Sequence, residues 1–407
     1  MSEKVFESLE GQMCCIIEDS SVDLKGFIVS DSTINGKGAG GIRMIEDTSL
    51  NEVRELARSA VLKSGFLGLP EGGIKAGIVA DGSSLPKEKK IILLKRFGEI
   101  AKPLLLGRRF ITGPDMCTSQ EEINEMLTHI GEKFVKRTHG KSGYYASLSV
   151  ISAGVQSAAM KEIRLENATV AIEGFGEVGS NTAKRFHEKG SKIIAVSTRD
   201  GAIYNKNGLD IENVLELKKK FGDKFVLKKD NWKSIPLEGL LEIECDLLVP
   251  CARGHVINST NGSKIRAEIV CPGANCAVTL EGEKILKEKG ILSVPFFIAN
   301  CGGLLGNSME FSGLSDEKIR ELFFNQLGRK IRRALELGLS YRGIPRVAVE
   351  EYSAKNFKKI KRKAEEKTFF NFVFWSALNV FKKTRIIPAF VVRPYSERYF
   401  KKILETW

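Results

Sequence analysis

Lys63 and Lys75 stand twelve residues apart, joined by Gly65-Phe66-Leu67-Gly68-Leu69-Pro70-Glu71-Gly72-Gly73-Ile74. A lysine holds a small carboxylate as a point charge. A second ammonium, set among glycines beside the first, would be pushed by desolvation and by the like charge toward handling protons or water near neutrality. Asp115 ends the run Phe110-Ile111-Thr112-Gly113-Pro114-Asp115, which reads as a strand meeting a helix. Functional carboxylates are often presented at such corners. Taken singly, Lys63 also reads as a solvated residue at a helix end and Asp115 as a turn residue; the three together carry the signal.

A second constellation follows. Gly174-Phe175-Gly176-Glu177-Val178-Gly179 lies between a predicted strand, Ala168 to Ile172, and a predicted helix that ends near Gly190. In that context the Gly-x-Gly-x-x-Gly spacing signals dinucleotide binding: the first glycine for a tight turn, the second for close approach of a pyrophosphate, the third for helix–strand packing. The next predicted strand, Lys192 to Thr198, runs into Arg199-Asp200 with no acid at its tip. A hydroxyl followed by arginine suits a 2′-phosphate and favours NADP over NAD, although Asp200 remains near enough to meet a ribose. A nicotinamide beside two lysines and an acid has the parts for oxidative deamination of an α-amino acid. Hydride leaves Cα, water adds to the iminium, and ammonia departs.

These groups need positioning elements. Cys14-Cys15-Ile16-Ile17 and Gly26-Phe27-Ile28-Val29 read as strands, and the glycine-rich stretch from Asn35 to Gly41 as a break in regular structure. Ser49-Leu50-Asn51-Glu52 reads as a capping-box signature. Leu50, Val53, Leu56, Ala60 and Val61 then share one face of a helix predicted to end about Lys63, with Gly68 and Pro70 as stops. A glycine-rich loop is predicted to deliver Lys75, with Ile78-Val79-Ala80 as a strand leaving it. A basic helix follows from Pro86 to about Lys102, and another starts near Ser119 with Glu122 as its capping partner. From Asn167 strands and helices alternate, with further strands at Cys245 to Val249, Ile269 to Cys271 and Ile291 to Val294. That rhythm implies a parallel, doubly wound sheet.

The chain of 407 residues is too long for one core, so an α/β fold of two domains is expected. The eight cysteines include no C-x-x-C pair and the four histidines are scattered, which points to a reduced, metal-free, cytoplasmic protein. The start, Met1 to Glu7, lacks the pattern of an export signal. The formal charge is +13, but residues 355–407 hold fourteen Lys/Arg against four Asp/Glu, so the basic character belongs to the tail. The tail also carries an aromatic run from Phe369 to Phe381, shorter than the ~20 residues of a membrane span. An added packed helix, an acidic-membrane contact and a nucleic-acid contact are its alternative readings.

The chain resembles the glutamate/leucine/phenylalanine/valine dehydrogenase family. The resemblance rests on Gly40-Gly41-Ile42-Arg43-Met44, Lys63 through Gly77, Gly113-Pro114-Asp115, the Gly174–Gly179 fingerprint, the run from Cys245 to Ala252, Pro272-Gly273-Ala274-Asn275, and Ala299-Asn300-Cys301-Gly302-Gly303, in the family's order. It implies a substrate domain with a mixed sheet over residues 1–145, completed by about 310–360, and a Rossmann domain over 146–309. A cleft is expected between them, with a basic aromatic extension over 361–407. It also implies a homo-oligomer, often a hexamer. By this resemblance Lys63 binds the substrate α-carboxylate, Lys75 activates water and Asp115 shuttles protons. Gly40 and Gly41 line the pocket, Cys251 and Ala252 border the cofactor site, Asn275 lies near the nicotinamide ribose, and Asn300 sits where the chain leaves the Rossmann domain.

Ala39 stands where glutamate-specific members carry a lysine, and Asn307 where they carry serine. A buried substrate carboxylate without a cation is costly, so an apolar amino acid is favoured over glutamate. Cys117, Cys276 and Cys301 replace small residues. That drift leaves a second reading open: a nicotinamide-binding sensor or assembly protein without catalysis.

Overall fold

The structure is a computed structural model and describes residues 13–132, 141–366 and 389–407. The aromatic run Phe369–Phe381 lies outside the described residues. The chain divides into two compact units, Met1–Gly140 with Tyr352–Val392, and Lys141–Glu351 with Arg393–Trp407.

The first unit is built on β1 (Met13–Asp19), β2 (Leu24–Ser32), β3 (Gly38–Met44), β4 (Gly72–Ile78) and β5 (Phe110–Pro114), in the order β1-β2-β4-β3-β5. β3 runs parallel to β4 and β5, while β1, β2 and β4 pair antiparallel, so the sheet is mixed. Side chains alternate across it. One face carries Phe27 and Val29 against Val53 and Ala57 of α1 (Leu50–Leu67). The other carries Ile28, Ile42, Ile74, Ala76 and Ile78 in one core with Phe97 of α2 (Lys87–Ile100), Leu105 of α3 (Lys102–Leu105) and Met126 of α4 (Gln120–His129).

Three expectations are corrected here. The stretch from Asn35 to Gly41 is not wholly irregular. The break is confined to a tight turn at Asn35 and Gly36 (φ 51° and 68°), and β3 begins at Gly38. Lys75 is not on a loop but in the middle of β4, which ends at Ile78. Both strands are glycine-rich because their neighbours press close. A Cβ at Gly73 would overlap the Ala57 carbonyl oxygen of α1, and one at Gly40 would overlap the Ile74 carbonyl oxygen of β4. Finally, α1 runs one turn past Lys63, because Phe66 and Leu67 are fully buried and pull the helix on. Gly68, left-handed at φ 81°, then ends it with its N–H on Ser64 O.

The second unit opens with α5 (Ser142–Met160). Its sheet has the order β12-β11-β10-β6-β7-β8-β9. β6 (Thr169–Glu173), β7 (Lys192–Thr198), β10 (Cys245–Pro250), β11 (Ala267–Val270) and β12 (Leu292–Ser293) run parallel, while β8 (Gly201–Tyr204) and β9 (Lys233–Ile235) add an antiparallel edge. From β6 the chain goes first to β7 on one side and later to β10 on the other. The C-terminal ends of β6 and β10 therefore mark the switch point where α/β sheets bind ligands. The connecting helices are α6 (Glu177–Glu188), α7 (Ile211–Phe221), α8 (Leu237–Leu241) and α9 (Leu280–Glu288).

Beyond β12 come α10 (Phe296–Ala299), α11 (Gly302–Phe311), α12 (Asp316–Leu322), α13 (Gly328–Ser340) and α14 (Pro345–Glu365). The last helix, α15 (Ala389–Glu405), docks by its C-terminal part on this unit. Buried Lys330 of α13 donates to Ile403 O at 2.9 Å and Thr406 O at 2.6 Å, closing carbonyls that a helix end leaves unpaired. Among the described residues, no helix is long and apolar enough to cross a membrane.

Candidate active site

In the first unit the register of β3 and β4 puts Lys75 beside Gly41, on the same sheet face as Gly73 and therefore on the α1 face. Asp115 follows β5 on the other side of β3. Lys75 Nζ donates to Asp115 Oδ2 across the glycine strand, and both side chains are largely buried, at 15% and 11% exposure. Gly40 and Gly41 make this possible. A Cβ at Gly40 would press on the Lys75 stem at 3.3 Å, and one at Gly41 would lie 2.8 Å from the Asp115 Cβ. Lys63 is half-buried on α1, the helix that covers this face.

The neighbour of Lys75 corrects the expected electrostatics: its ammonium is paired with a carboxylate rather than set against a like charge. Asp115 is further held by Arg43, whose Nη2 donates to Oδ1 at 3.2 Å while Nη1 reaches Glu52 Oε1 on α1 at 2.5 Å. Burial raises the Asp115 pKa, but the charges of Lys75 and Arg43 outweigh it and hold the carboxyl well below the usual range. Met116 N–H also donates to Oδ1 at 2.7 Å, and the Thr118 hydroxyl fixes the corner by accepting from Asp115 N and donating to Ile42 O. Sequence reasoning gave Arg43 no role. Its signal was the alternation of β3, which sets Arg43 on the same face as Gly41.

Ala39 is flanked in the sheet by Gly73 and Ile111, so its surroundings there carry no charge. Lys37, two residues from Ala39 and the cation that could stand in for the missing lysine, lies exposed in the Ile34–Lys37 turn. Cys117 adopts a left-handed φ of 59°, and Cys276 one of 52°. These are backbone positions that favour glycine, which accounts for small residues there.

In the second unit the fingerprint has the geometry a dinucleotide needs. Gly174 is left-handed (φ 89°), with a Cβ there only 2.6 Å from Ala252 N, and Gly179 packs against the Gly174 carbonyl. Around Gly176 nothing stands within 4 Å of a Cβ position, which leaves room for a pyrophosphate at the start of α6. Phe175 serves the fold instead: its side chain is 1% exposed and its N–H donates to Ser197 O at 2.7 Å. The Glu177 carboxyl accepts from the Gly143 and Tyr144 N–H groups at the start of α5, and burial raises its pKa. Val178 begins the helix beside it and lies against the Gly273 segment.

At the tip of β7 the Thr198 hydroxyl donates to Asp223 O at 3.0 Å and Arg199 Nε lies 3.8 Å from Asp223 Oδ2. At the end of β10, Cys251 N–H donates to Glu173 O at 2.6 Å, and Ala252 N–H to Glu173 Oε2 at 3.2 Å. Burial lifts the Cys251 thiol far above its ordinary pKa. Asn300 Nδ2 joins Asn275 Oδ1 at 3.0 Å and Gly273 O at 3.2 Å, while Asn300 Oδ1 is buried with no hydrogen-bond partner among the described residues. Asn307 on α11 donates to Ser142 Oγ at 2.8 Å, and its Oδ1 is likewise unsatisfied. Open space at Gly176 and an orphaned amide oxygen beside the switch point fit a bound dinucleotide.

A Rossmann sheet carrying this fingerprint, joined to a mixed-sheet unit with a buried lysine–aspartate pair, defines a two-domain dinucleotide-dependent oxidoreductase. Family models agree: glutamate/leucine/phenylalanine/valine dehydrogenase matches residues 141–340, and the Glu/Leu/Phe/Val dehydrogenase dimerisation domain matches 13–132. The NADP-specific glutamate dehydrogenase of Saccharolobus shibatae is 30% identical over 333 residues, covering 76% of this chain and 78% of the relative. The NAD-specific glutamate dehydrogenase of Staphylococcus aureus (strain COL) is 31% identical over 300 residues, covering 70% and 72%. Among solved structures, the hetero-hexameric glutamate dehydrogenase of Thermus thermophilus in its Leu-bound form superposes with TM-score 0.76 at 22% identity, covering 89% of this chain and 92% of that one. The chain belongs to the glutamate/leucine/phenylalanine/valine dehydrogenase family, whose members are NAD(P)-dependent amino-acid dehydrogenases.

Proposed function

We propose that this enzyme catalyses reversible oxidative deamination of an L-amino acid to its 2-oxo acid and ammonia, and that the substrate side chain is apolar. The observation that carries the reading is the Lys75–Asp115 pair, walled by Gly40 and Gly41 on the α1 face of the sheet. Lys63 binds the substrate α-carboxylate as a point charge. Asp115, kept anionic by its two cations, takes a proton from the substrate ammonium. When bound, the nicotinamide supplies the hydride acceptor for Cα. Asp115 gives that proton up to solvent, and Lys75 then orients water toward the resulting iminium carbon, passing its own proton to Asp115 as it takes the water's. Asp115 returns a proton to the departing amine. Each turnover consumes one amino acid, one oxidised cofactor and one water. It yields the oxo acid, ammonium, the reduced cofactor and one proton.

The backbone from Gly176 to Gly179 would hold the pyrophosphate, Thr198 and Arg199 would border the adenosine ribose, and Asn275 with Asn300 would border the nicotinamide ribose. The uncharged strand neighbours of Ala39, and the exposure of Lys37, favour an apolar side chain over glutamate. Self-assembly into a homo-oligomer, a hexamer by analogy with the Thermus thermophilus complex, completes the reading.

A screen of L-amino acids against NAD and NADP, followed by reduced-nicotinamide absorbance, tests this. Turnover is expected with leucine-like or aromatic substrates, and Lys75→Ala should lower kcat by about 10²–10⁴-fold. Cofactor binding with no turnover on any amino acid would favour the non-catalytic sensor instead.

A further inference from the structure

We propose that Asp223 sets the cofactor preference of this enzyme, selecting NAD over NADP by taking the place of the acid that the tip of β7 lacks. The proposal rests on the dinucleotide site of the second unit and is independent of which amino acid is oxidised. The strand tip itself is occupied. Arg199 and Asp200 form the two-residue turn into β8, since Thr198 already pairs with Gly201. The Thr198 hydroxyl is spent on Asp223 O, and it also receives Asp200 N–H at 3.2 Å.

Asp223 arrives from the 3₁₀ turn Gly222–Leu227, twenty-five residues further along. That turn is anchored by Phe225 and Val226, both buried, and Phe225 packs on Phe175 of the fingerprint with ring centroids 5.6 Å apart. The fingerprint is in turn tied to β7 through Gly174 N–H on Ser197 Oγ at 3.0 Å. The Asp223 carboxylate is thus held at the edge of the glycine loop, at the level where an adenosine ribose meets the second strand.

Its cationic neighbours are already engaged. Lys218 Nζ lies 3.2 Å from Asp223 Oδ1, and Arg199 Nε 3.8 Å from Oδ2. Lys218 is oriented from its other side by the Phe175 ring, 5.7 Å from its centroid. Arginine after the strand looked like a 2′-phosphate receptor in the sequence. In the fold it faces a carboxylate. That carboxylate can accept both ribose hydroxyls, and it repels a dianion on the 2′ oxygen.

The test is titration of the full chain with NADH and with NADPH, read by nicotinamide fluorescence, for the wild type, Asp223→Asn and Asp223→Ala. The wild type is expected to bind NADH at least tenfold more tightly. Either variant should narrow that ratio at least tenfold, with NADPH gaining affinity as NADH loses it. A wild type that prefers NADPH, or variants that weaken both nucleotides equally, would overturn the proposal. Failure of the wild type to bind either nucleotide would overturn the dinucleotide site as well, whereas tight NADH binding without amino-acid turnover would count against the proposed reaction alone.

Discussion

Glu173 closes β6 at the switch point, one residue before the fingerprint. Burial raises its pKa from 4.5 to about 6, against the pull of the Ala252 and Cys251 N–H groups and of Arg253. A carboxyl that holds its proton more tightly when folded stabilises the fold fully below pH 4.5 and loses that contribution as pH rises to about 6. The shift corresponds to about 2 kcal/mol. Glu173→Gln is therefore expected to match the wild type near pH 4 and to exceed it by up to about 2 kcal/mol at pH 8, measured by urea unfolding at both pH values. Equal stability at pH 8 would remove the desolvation cost assigned to this carboxyl. Asp115 behaves in the opposite sense. Its depressed pKa keeps it anionic through the physiological range, the state that its proposed role beside Lys75 needs.

At the scale of elements, glycine misled the sequence reading, and it did so for one reason. In β3 and β4 the glycines look like loop residues because their propensity for strands is low. Here propensity lost to close packing, since α1 and the neighbouring strands leave no room for a side chain at Gly40 or Gly73. Where side chains carried the signal, the reading held. β7 spans Lys192–Thr198 as expected, and the Ser119–Glu122 capping box forms in full at the start of α4. Arg43 and Asp223 went unread because each acquires its partners through pairings distant in sequence, Arg43 with Asp115 and Asp223 with Arg199. The two kinds of glycine predict opposite phenotypes. Gly40→Ala must displace β4, so a loss of about 3 kcal/mol in stability is expected together with a drop in kcat. Gly176→Ala meets open space, so its thermal unfolding should stay near wild type while its nucleotide affinity falls. Thermal melts and NADH titrations of both variants would show whether the two losses separate.

For the whole molecule, the surplus of positive charge has an address. Lys355, Lys358, Lys359, Arg362 and Lys363 form an exposed face of α14, while Phe357 on its other side is buried with Ile34 and Val61. The Asn35 turn is clasped by the same helix, with Asn35 N–H on Glu365 Oε1 at 2.9 Å. α14 therefore completes the first unit's core from a point far along the chain. The expected assembly is testable in one measurement: light scattering at micromolar concentration should return six times the 45.0 kDa chain mass. A monomer would contradict the assembly proposed from the family.

The crowding around β3 has a practical corollary for anyone wishing to retune this catalyst. Mutant libraries that scramble Gly40, Gly41 or Gly73 would be dominated by unfolded clones. Ala39, the position proposed to favour an apolar substrate, and its strand neighbour Ile111 already carry side chains, so they are the economical places to diversify in testing that proposal.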